Sequence, residues 1–542
     1  MPDTPVPPTG PPAVDSVPAR PRRRRVAVNT AIFSIGTGFS RVAGLVREIL
    51  ASSYFGTGGP FSAFTIAFQI PNLLRQLVAD FAVSAAFVPV FTELLEKDRK
   101  RDAFRLASTL FFLILIVLGA ITALFVIAAP TLMPLFTGGK FTHELDTLTA
   151  GLSQVLFPTV LLLGLNGLCV GILNAYDHFT VPAFTALVWN VVIMGLLIGL
   201  KPLFDGPDQL YAYAIAVLAA TVVQFAMALP VLARLGFRLR FVIDWRDPRV
   251  AQVLKLLVPV TLALGVINFD LVINATLGSL VSEHAPRAID AAFRIYMLPQ
   301  GMFSVALATV LFPALSRLAA RQDRDGLRRV ASNGMRQIFL LLIPAAVITL
   351  VLATPIVRLI YQHGEFDVHS TDRVSLALFW FSLSLPFNGV NLLLTRTFFS
   401  LQKPWLATRL AVVNVAINFG ISLALYKPFG IAGLVIGTII GNVGMLIGQA
   451  WYLRRELNGL EGRRTATVTA QVLMASALLG AVAFGVWYGL DAWLGRALVP
   501  QIVSVLGGIA VGGGLYALAV SAMRIPEAHQ IRQLVTGRLR GA

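Results

Sequence analysis

The sequence predicts an all-α polytopic membrane protein of about fourteen transmembrane helices, two six-helix lobes in parallel repeat plus two C-terminal helices. Three observations carry that expectation. Apolar runs of twenty or more residues recur along nearly the whole chain, the length at which a helix crosses a ~30 Å hydrocarbon core while satisfying its own backbone groups. Hydrophobic residues fill 56% of the 542 positions and charged residues only 13%, too little polar surface to coat a soluble fold of this size. A pattern in the first half also returns in the second, as set out below.

Residues 1–27 are proline-rich and then basic, ending in Arg22 to Arg25, and can bury no core. They read as a disordered cytoplasmic tail able to touch anionic membrane lipids. The apolar stretch that follows is too long for a signal peptide and contains arginines. Spans are expected near 28–55, 62–92, 106–135, 147–175, 181–202 and 209–234, forming an N-terminal lobe over 28–235. A second set near 250–281, 287–316, 332–361, 370–401, 405–426 and 429–453 forms a C-terminal lobe over 250–455. Two more, near 467–493 and 499–523, make an additional pair over 466–523, and 524–542 is a cytoplasmic tail.

Loop charge orients this arrangement. The segments placed inside hold roughly thirty Lys and Arg against about seven outside, the asymmetry of a multi-pass plasma-membrane protein with both termini cytoplasmic. The net charge of +17 is therefore topological, and no nucleic-acid partner is expected. The repeat is legible by eye: FVPVFTELLEKDRKRDAFRLAS, APTLMPLFTGGKF and VLFPTVLLLGLNGL return about 225 residues later as LFPALSRLAARQDRDGLRRVAS, TPIVRLIYQHGEF and SLPFNGVNLLL. Pro89 corresponds to Pro313, Pro130 to Pro355, Gly139 and Phe141 to Gly364 and Phe366, and Pro158 to Pro386. Repeats in one orientation are found in transporters that rock one lobe against the other.

Charges within spans are few: Arg41, Arg47, Glu48, Arg75 and Asp80 in the first lobe, Asp270, Asp290 and Arg294 in the second. On a helical wheel Ser40, Arg41, Gly44, Arg47, Glu48, Ala51 and Ser52 share one sector, opposite Val42, Leu45, Val46, Ile49 and Leu50. In the next span Asn72, Arg75, Gln76, Ala79 and Asp80 share another. A guanidinium at the bilayer centre costs roughly 2.5–3.5 kcal/mol, so these faces line a hydrated cavity or a tight pairing. Two readings stand. Arg41, Arg47, Arg75 and Arg294 form a cationic floor for a phosphate-bearing substrate, since guanidinium forks bind phosphate bidentately; or the arginines pair with Glu48, Asp80 and Asp290 as gates between states. Arg336, Arg373, Arg396 and Arg409 lie nearer span ends and are expected to snorkel to head groups.

Asp270 with Asn274, and Asn268 before them, forms a further intramembrane polar cluster. It is a candidate Na+ or H+ coupling site or a helix–helix hydrogen-bond node, with Asn388, Asn391, Asn414 and Asn418 as neutral ligands for the same ion. Cys169 reads as a small hydrophobe and the six histidines as loop or tail residues, so no metal site is expected. Gly433, Gly437 and Gly441, and Gly508 with Gly512, fit close helix packing. No nucleotide-binding motif, nucleophile elbow or other cofactor signature is present, and no loop can house a soluble catalytic domain. The chain reads as a non-enzyme whose energy comes from an ion gradient or the membrane potential.

FSRVAGLVREILASSYFGTG, AFQIPNLLRQLVADFAVSAAFVPVFTE, LNAYDHFTVPAF and MLPQGMFSVALATVLFPALSR resemble the MurJ (MviN) family of bacterial lipid II flippases, within the multidrug/oligosaccharidyl-lipid/polysaccharide exporter superfamily. The resemblance covers roughly 28–525. It implies two six-helix lobes with two helices edging a groove for the polyprenyl tail, and translocation of lipid-linked peptidoglycan precursor from the inner to the outer leaflet by alternating access. Arg41, Arg47, Arg75 and Arg294 match the family's central-cavity arginines, and Glu48 and Asp80 its acidic positions. Where the family commonly has Asp and Glu, this chain has Ser62 and Met297, which puts any gate relying on those carboxylates in question. Lipid II and cell-wall synthesis proteins are the partners implied. The alternatives are export of another polyprenyl-linked saccharide or a drug, or a non-transporting scaffold for cell-wall synthesis.

Overall fold

The computed structural model describes the backbone of residues 20–75, 82–138, 140–176, 178 and 180–530, and side chains apart from those of 20–37, 74–75, 82–86, 180, 183, 256 and 258–271. Among them helix dominates and no strand occurs. The helices are α1 (Arg20–Phe55), α2 (Gly59–Arg75), α3 (Ala82–Glu96), α4 (Lys100–Leu132), α5 (Pro134–Thr137), α6 (His143–Leu156), α7 (Pro158–Ala175), α8 (Thr180–Leu200) and α9 (Gln209–Arg234). A non-helical connector leads to α10 (Pro248–Val281), α11 (Ala285–Pro299), α12 (Ala306–Ala320), α13 (Arg324–Val351), α14 (Ala353–Tyr361), α15 (Val368–Ser400), α16 (Pro404–Glu456), α17 (Gly462–Leu494) and α18 (Leu498–Ala522).

Ten helical units among the described residues are long and apolar enough to cross a membrane, short of the expected fourteen. Chemistry and counting both contribute. Within α1 stand Arg41, Arg47 and Glu48, and α2 and α3 are 17 and 15 residues long. The 53-residue α16 counts once, although Gly430 turns the backbone to φ 55° and ψ −129° between its halves. Several expected spans are divided: α6 gives way to α7 at Phe157 before Pro158, α13 to α14 at Leu352, and a π-helical segment, Gln300–Val305, separates α11 from α12 just after Pro299.

Packing builds separate apolar cores. One joins α10 through α18, with Tyr296, Leu342, Tyr361, Phe381 and Phe398 buried. Another joins α2 to α6, α8 and α9 around Phe61, Phe64 and Tyr213, and a third joins α3, α4 and α7 around Phe87 and Phe91. Small residues set the closest approaches: a Cβ on Gly441 would strike the Asn414 side chain, and one on Gly508 would sit 2.7 Å from the Ala483 carbonyl oxygen. Those glycines serve helix packing, as their four-residue spacing suggests.

Arg336 does not snorkel. Its side chain is buried, paired with Glu527 and, at 2.8 Å, with Glu461. Its distance from the helix end hid two carboxylates that arrive from the start of α17 and from beyond α18. Arg396 lies over the Phe312 ring at 5.4 Å, and Arg409 is exposed.

A closed charge cluster beneath a backbone latch

The site begins on α1. The wheel sector that carries Arg47, Glu48 and Ser52 turns inward, while Val42 and Val46 stay exposed on the outer face. Glu48 is 3% exposed and is the hub. Arg287, 1% exposed, donates to Glu48, to Ser52 Oγ at 2.8 Å and to Asp290 at 2.8 Å, and its guanidinium lies 4.0 Å from the Phe61 ring centre. Arg294 donates to Asp290 at 2.9 Å and stands 3.3 Å from Glu48. Arg47 completes the group, 3.9 Å from Glu48 and 4.9 Å from the Trp189 ring centre on α8.

Helical spacing explains the second contribution. Positions 287, 290 and 294 of α11 fall on one face, so two arginines clasp one aspartate and both reach α1. Three guanidinium groups (Arg47, Arg287, Arg294) thus face two carboxylates (Glu48, Asp290), leaving one positive charge in excess. Unpaired, each buried ion would cost several kcal/mol; the shared partners offset this. Beside the cluster Phe64, Thr65, Phe68, Gln69 and Tyr213 line a cavity of about 20 Å³, room for roughly one water. A diphosphate does not fit in that cavity.

One end of the cluster is shut. Glu365 N–H donates to the Ser53 carbonyl at 2.9 Å, the Thr57 and Ser370 hydroxyls share a hydrogen bond at 2.8 Å, and the His284 ring meets the Thr57 carbonyl at 2.9 Å. Gly56 and Gly364, both with φ near +60°, let the two backbones touch; a Cβ on Gly56 would lie 2.6 Å from the Glu365 carbonyl oxygen. At Ser62 the buried hydroxyl accepts the Arg287 backbone N–H at 3.3 Å, while Met297 is 41% exposed. The charge pairing here uses Arg287 and Glu48, with Ser62 supporting only the Arg287 backbone and Met297 outside it.

Of the residues expected at the site, Arg47, Glu48, Asp290 and Arg294 come together. Arg41 is exposed and does not join them; its Nη1 lies 3.6 Å from where a Cβ on Gly301 would stand, in the π-helical segment. The side chains of Arg75 and Asp270, and Asp80 entirely, lie outside the described residues. Asn274 is buried and donates to Thr438 at 3.4 Å, with its Oδ1 lacking a hydrogen-bond partner among the described residues. Asn391 donates to the Asn442 carbonyl and Asn388 to Tyr296, whereas Asn418 accepts from Ser422 at 2.9 Å. Thr438 links Asn274 to Asn418, since its hydroxyl also donates to Asn418 Oδ1 at 3.5 Å, whereas Asn388 and Asn391 engage other partners. Sequence reasoning missed Arg287, which reads as a loop residue at a span start; its spacing from Asp290 and Arg294 was the available signal. Tyr213 and Gln69 carried none.

A family model described as "Lipid II flippase MurJ" matches residues 51–503. A probable lipid II flippase MurJ of Vibrio cholerae is 28% identical over 509 residues, covering 91% of this chain and 95% of that one. The lipid II flippase MurJ of Burkholderia cenocepacia is 30% identical over 411 residues, covering 75% and 79%. Among solved structures, a lipid II flippase MurJ in an inward closed conformation superposes with a TM-score of 0.76 at 22% identity, over 91% of this chain and all of that one. An inward-facing multidrug resistance MATE transporter of the MOP superfamily superposes at 0.64 and 18% identity, over 77% and 94%. At those identities the two structures speak for the fold.

Proposed function

The chain belongs to the lipid II flippase MurJ family, and from that premise we propose that it moves lipid II from the inner to the outer leaflet of the bacterial plasma membrane by alternating access. The observation that carries the mechanism is the cluster around Glu48, where guanidinium groups from α1 and α11 meet with one positive charge in excess. Its ion pairs to Glu48 join helices from the two halves of the chain, so opening the latch frees Arg287 and Arg294 from Glu48. A diphosphate then takes the place of Glu48 on the same forks. Exchange between the two kinds of partner ties substrate occupancy to conformation, and Arg41 and Arg75 add positive charge to α1 and α2. Outward movement of two negative charges is favoured by roughly 4–5 kcal/mol at an inside-negative 100 mV.

Ion coupling, in this reading, runs through α10, where Asp270 sits one turn before Asn274 and the unpartnered Asn274 Oδ1 offers a ligand to Na+. Both termini are assigned to the cytoplasm from loop charge.

The test is complementation. Arg41, Arg47, Arg75, Arg287 and Arg294 are replaced singly by Ala in cells depleted of their own flippase, with membrane levels checked and lipid II on the outer face measured by external labelling. Loss of export in most variants at normal abundance is expected. Normal export in all five would remove the cationic-site reading, and Asp270→Asn with unchanged ion dependence would remove the coupling site.

A further inference from the structure

The connector between α9 and α10 is not a free loop but a strap lying along α4. Lys100 Nζ donates to the Leu235 carbonyl at 3.3 Å, and Phe237 meets Phe104 edge-on at 5.2 Å. Arg240 N–H donates to Ser108 Oγ at 3.3 Å, and Phe241 meets Phe112 edge-on at 4.8 Å. The chain then returns: Asp244 pairs with Arg105 at 3.0 Å, and Asp247 accepts from Arg249, which lies 3.7 Å from Asp102.

Helix α4 serves as a depth gauge. From Phe104 to Phe112 the helix rises about 12 Å, and Phe112 stands near the start of its apolar run, which begins at Leu110. The tip of the strap therefore sits at the edge of the hydrocarbon layer. There Phe241 is 80% exposed, and Trp245, on the returning limb next to Asp244, is 65% exposed. Arg238, Arg240 and Arg246 are exposed around them and, among the described residues, form no ion pair; Arg246 lies 5.1 Å from the Trp245 ring centre. Exposed aromatics at interfacial depth, ringed by unpaired guanidinium groups, match the chemistry of a lipid surface bearing anionic headgroups. An acidic soluble protein would satisfy the charges but not the depth.

We propose that residues 236–246 form an anionic-phospholipid-binding strap, in which Phe241 and Trp245 enter the interfacial zone while Arg238, Arg240 and Arg246 hold lipid phosphates. The strap thereby anchors the join between the two halves of the chain to one leaflet.

The test uses the full chain in lipid nanodiscs, with a spin label at Phe241→Cys in a Cys169→Ala background and a control label at Arg101→Cys. Accessibility to oxygen relative to a water-soluble nickel chelate reports depth. At position 241 that ratio is expected to exceed the control several-fold, and to rise further when phosphatidylglycerol is added to phosphatidylcholine. In the R238Q/R240Q/R246Q variant the further rise is expected to vanish while the labelled protein remains monodisperse. A nickel-accessible label at 241 overturns membrane entry, and a ratio indifferent to lipid charge, or unaltered in the triple variant, overturns anionic recognition.

Discussion

Glu365 donates its backbone N–H to the Ser53 carbonyl at 2.9 Å, joining the end of α1 to the turn between α14 and α15. Backbone meets backbone there because Gly364, at φ 59°, has no Cβ to strike Ser53. Alanine at such a φ costs about 1 kcal/mol before any clash. In a Cys169→Ala background, Thr57→Cys with Ser370→Cys should form a disulfide readily, since the native hydroxyls are 2.8 Å apart. Adding Gly364→Ala should lower that yield about 5- to 30-fold, the ratio that 1–2 kcal/mol commands. An unchanged yield would show that the closure does not depend on this approach.

Below the latch, Glu48→Gln leaves Arg287 and Arg294 sharing Asp290 and takes from Arg47 the carboxylate it faces. Breaking a buried pair costs about 3–5 kcal/mol. The same crosslink should be nearly abolished, and lipid II export should fall with it. Arg287→Lys should not rescue, because one ammonium cannot span Glu48, Ser52 and Asp290 as the planar fork does. A Glu48→Gln protein that crosslinks and exports normally would separate the cluster from gating.

The wheel faces of α1 made Arg47 and Glu48 legible, because a charged stripe on an apolar helix must turn inward. Asp290 and Arg294 were legible as formal charges inside an otherwise apolar span. Arg287 was not: it stands two residues into α11, where position alone resembles a loop, and its burial depends on Ser52 and Phe61 from other helices. Arg336 failed similarly, since Glu527 lies 191 positions away and only folding brings it near. The helical, membrane-spanning class followed from local hydropathy. The breaks at Phe157 and Leu352 were less visible, because an apolar run continues across them.

At the turn closing the latch, Asp367 caps α15 by accepting the Ser370 N–H at 2.7 Å, and hydrogen bonding from the Ser370 side chain, together with that backbone bond, holds its carboxyl below the usual carboxylate range. A depressed value means the contribution is present above the unfolded pKa of about 3.9 and is lost as pH falls through the folded one. Hydrogen exchange at the Ser370 amide, corrected for intrinsic rate, should be steady from neutral pH down to about 4 and accelerate below it. Asp367→Ala should exchange about 5-fold faster at neutral pH, as expected for loss of a roughly 1 kcal/mol cap. Asp367→Asn, which keeps an acceptor, should remove the acid limb. An acid limb that survives in Asp367→Asn would assign it to another group.

The α17–α18 pair is fastened to α13 by a second buried cluster: Arg336 holds Glu461 at 2.8 Å and the fully buried Glu527, with Arg464 3.6 Å from Glu527. Removing one partner strands a charge that burial has stripped of water, so Arg336→Met or Glu527→Gln should each destabilise by about 3–5 kcal/mol. Replacing the set with apolar groups of similar volume removes the stranded charge as well as the pair. Arg336→Met combined with Glu461→Gln and Glu527→Met should therefore recover much of the loss. Thermal unfolding of the detergent-solubilised protein checks both arms. If Arg336→Met alone unfolds at the parent temperature, the cluster contributes no stability. If the triple variant unfolds earlier than the sum of single losses, the charges hold the C-terminal helices in register by a route that apolar packing cannot replace.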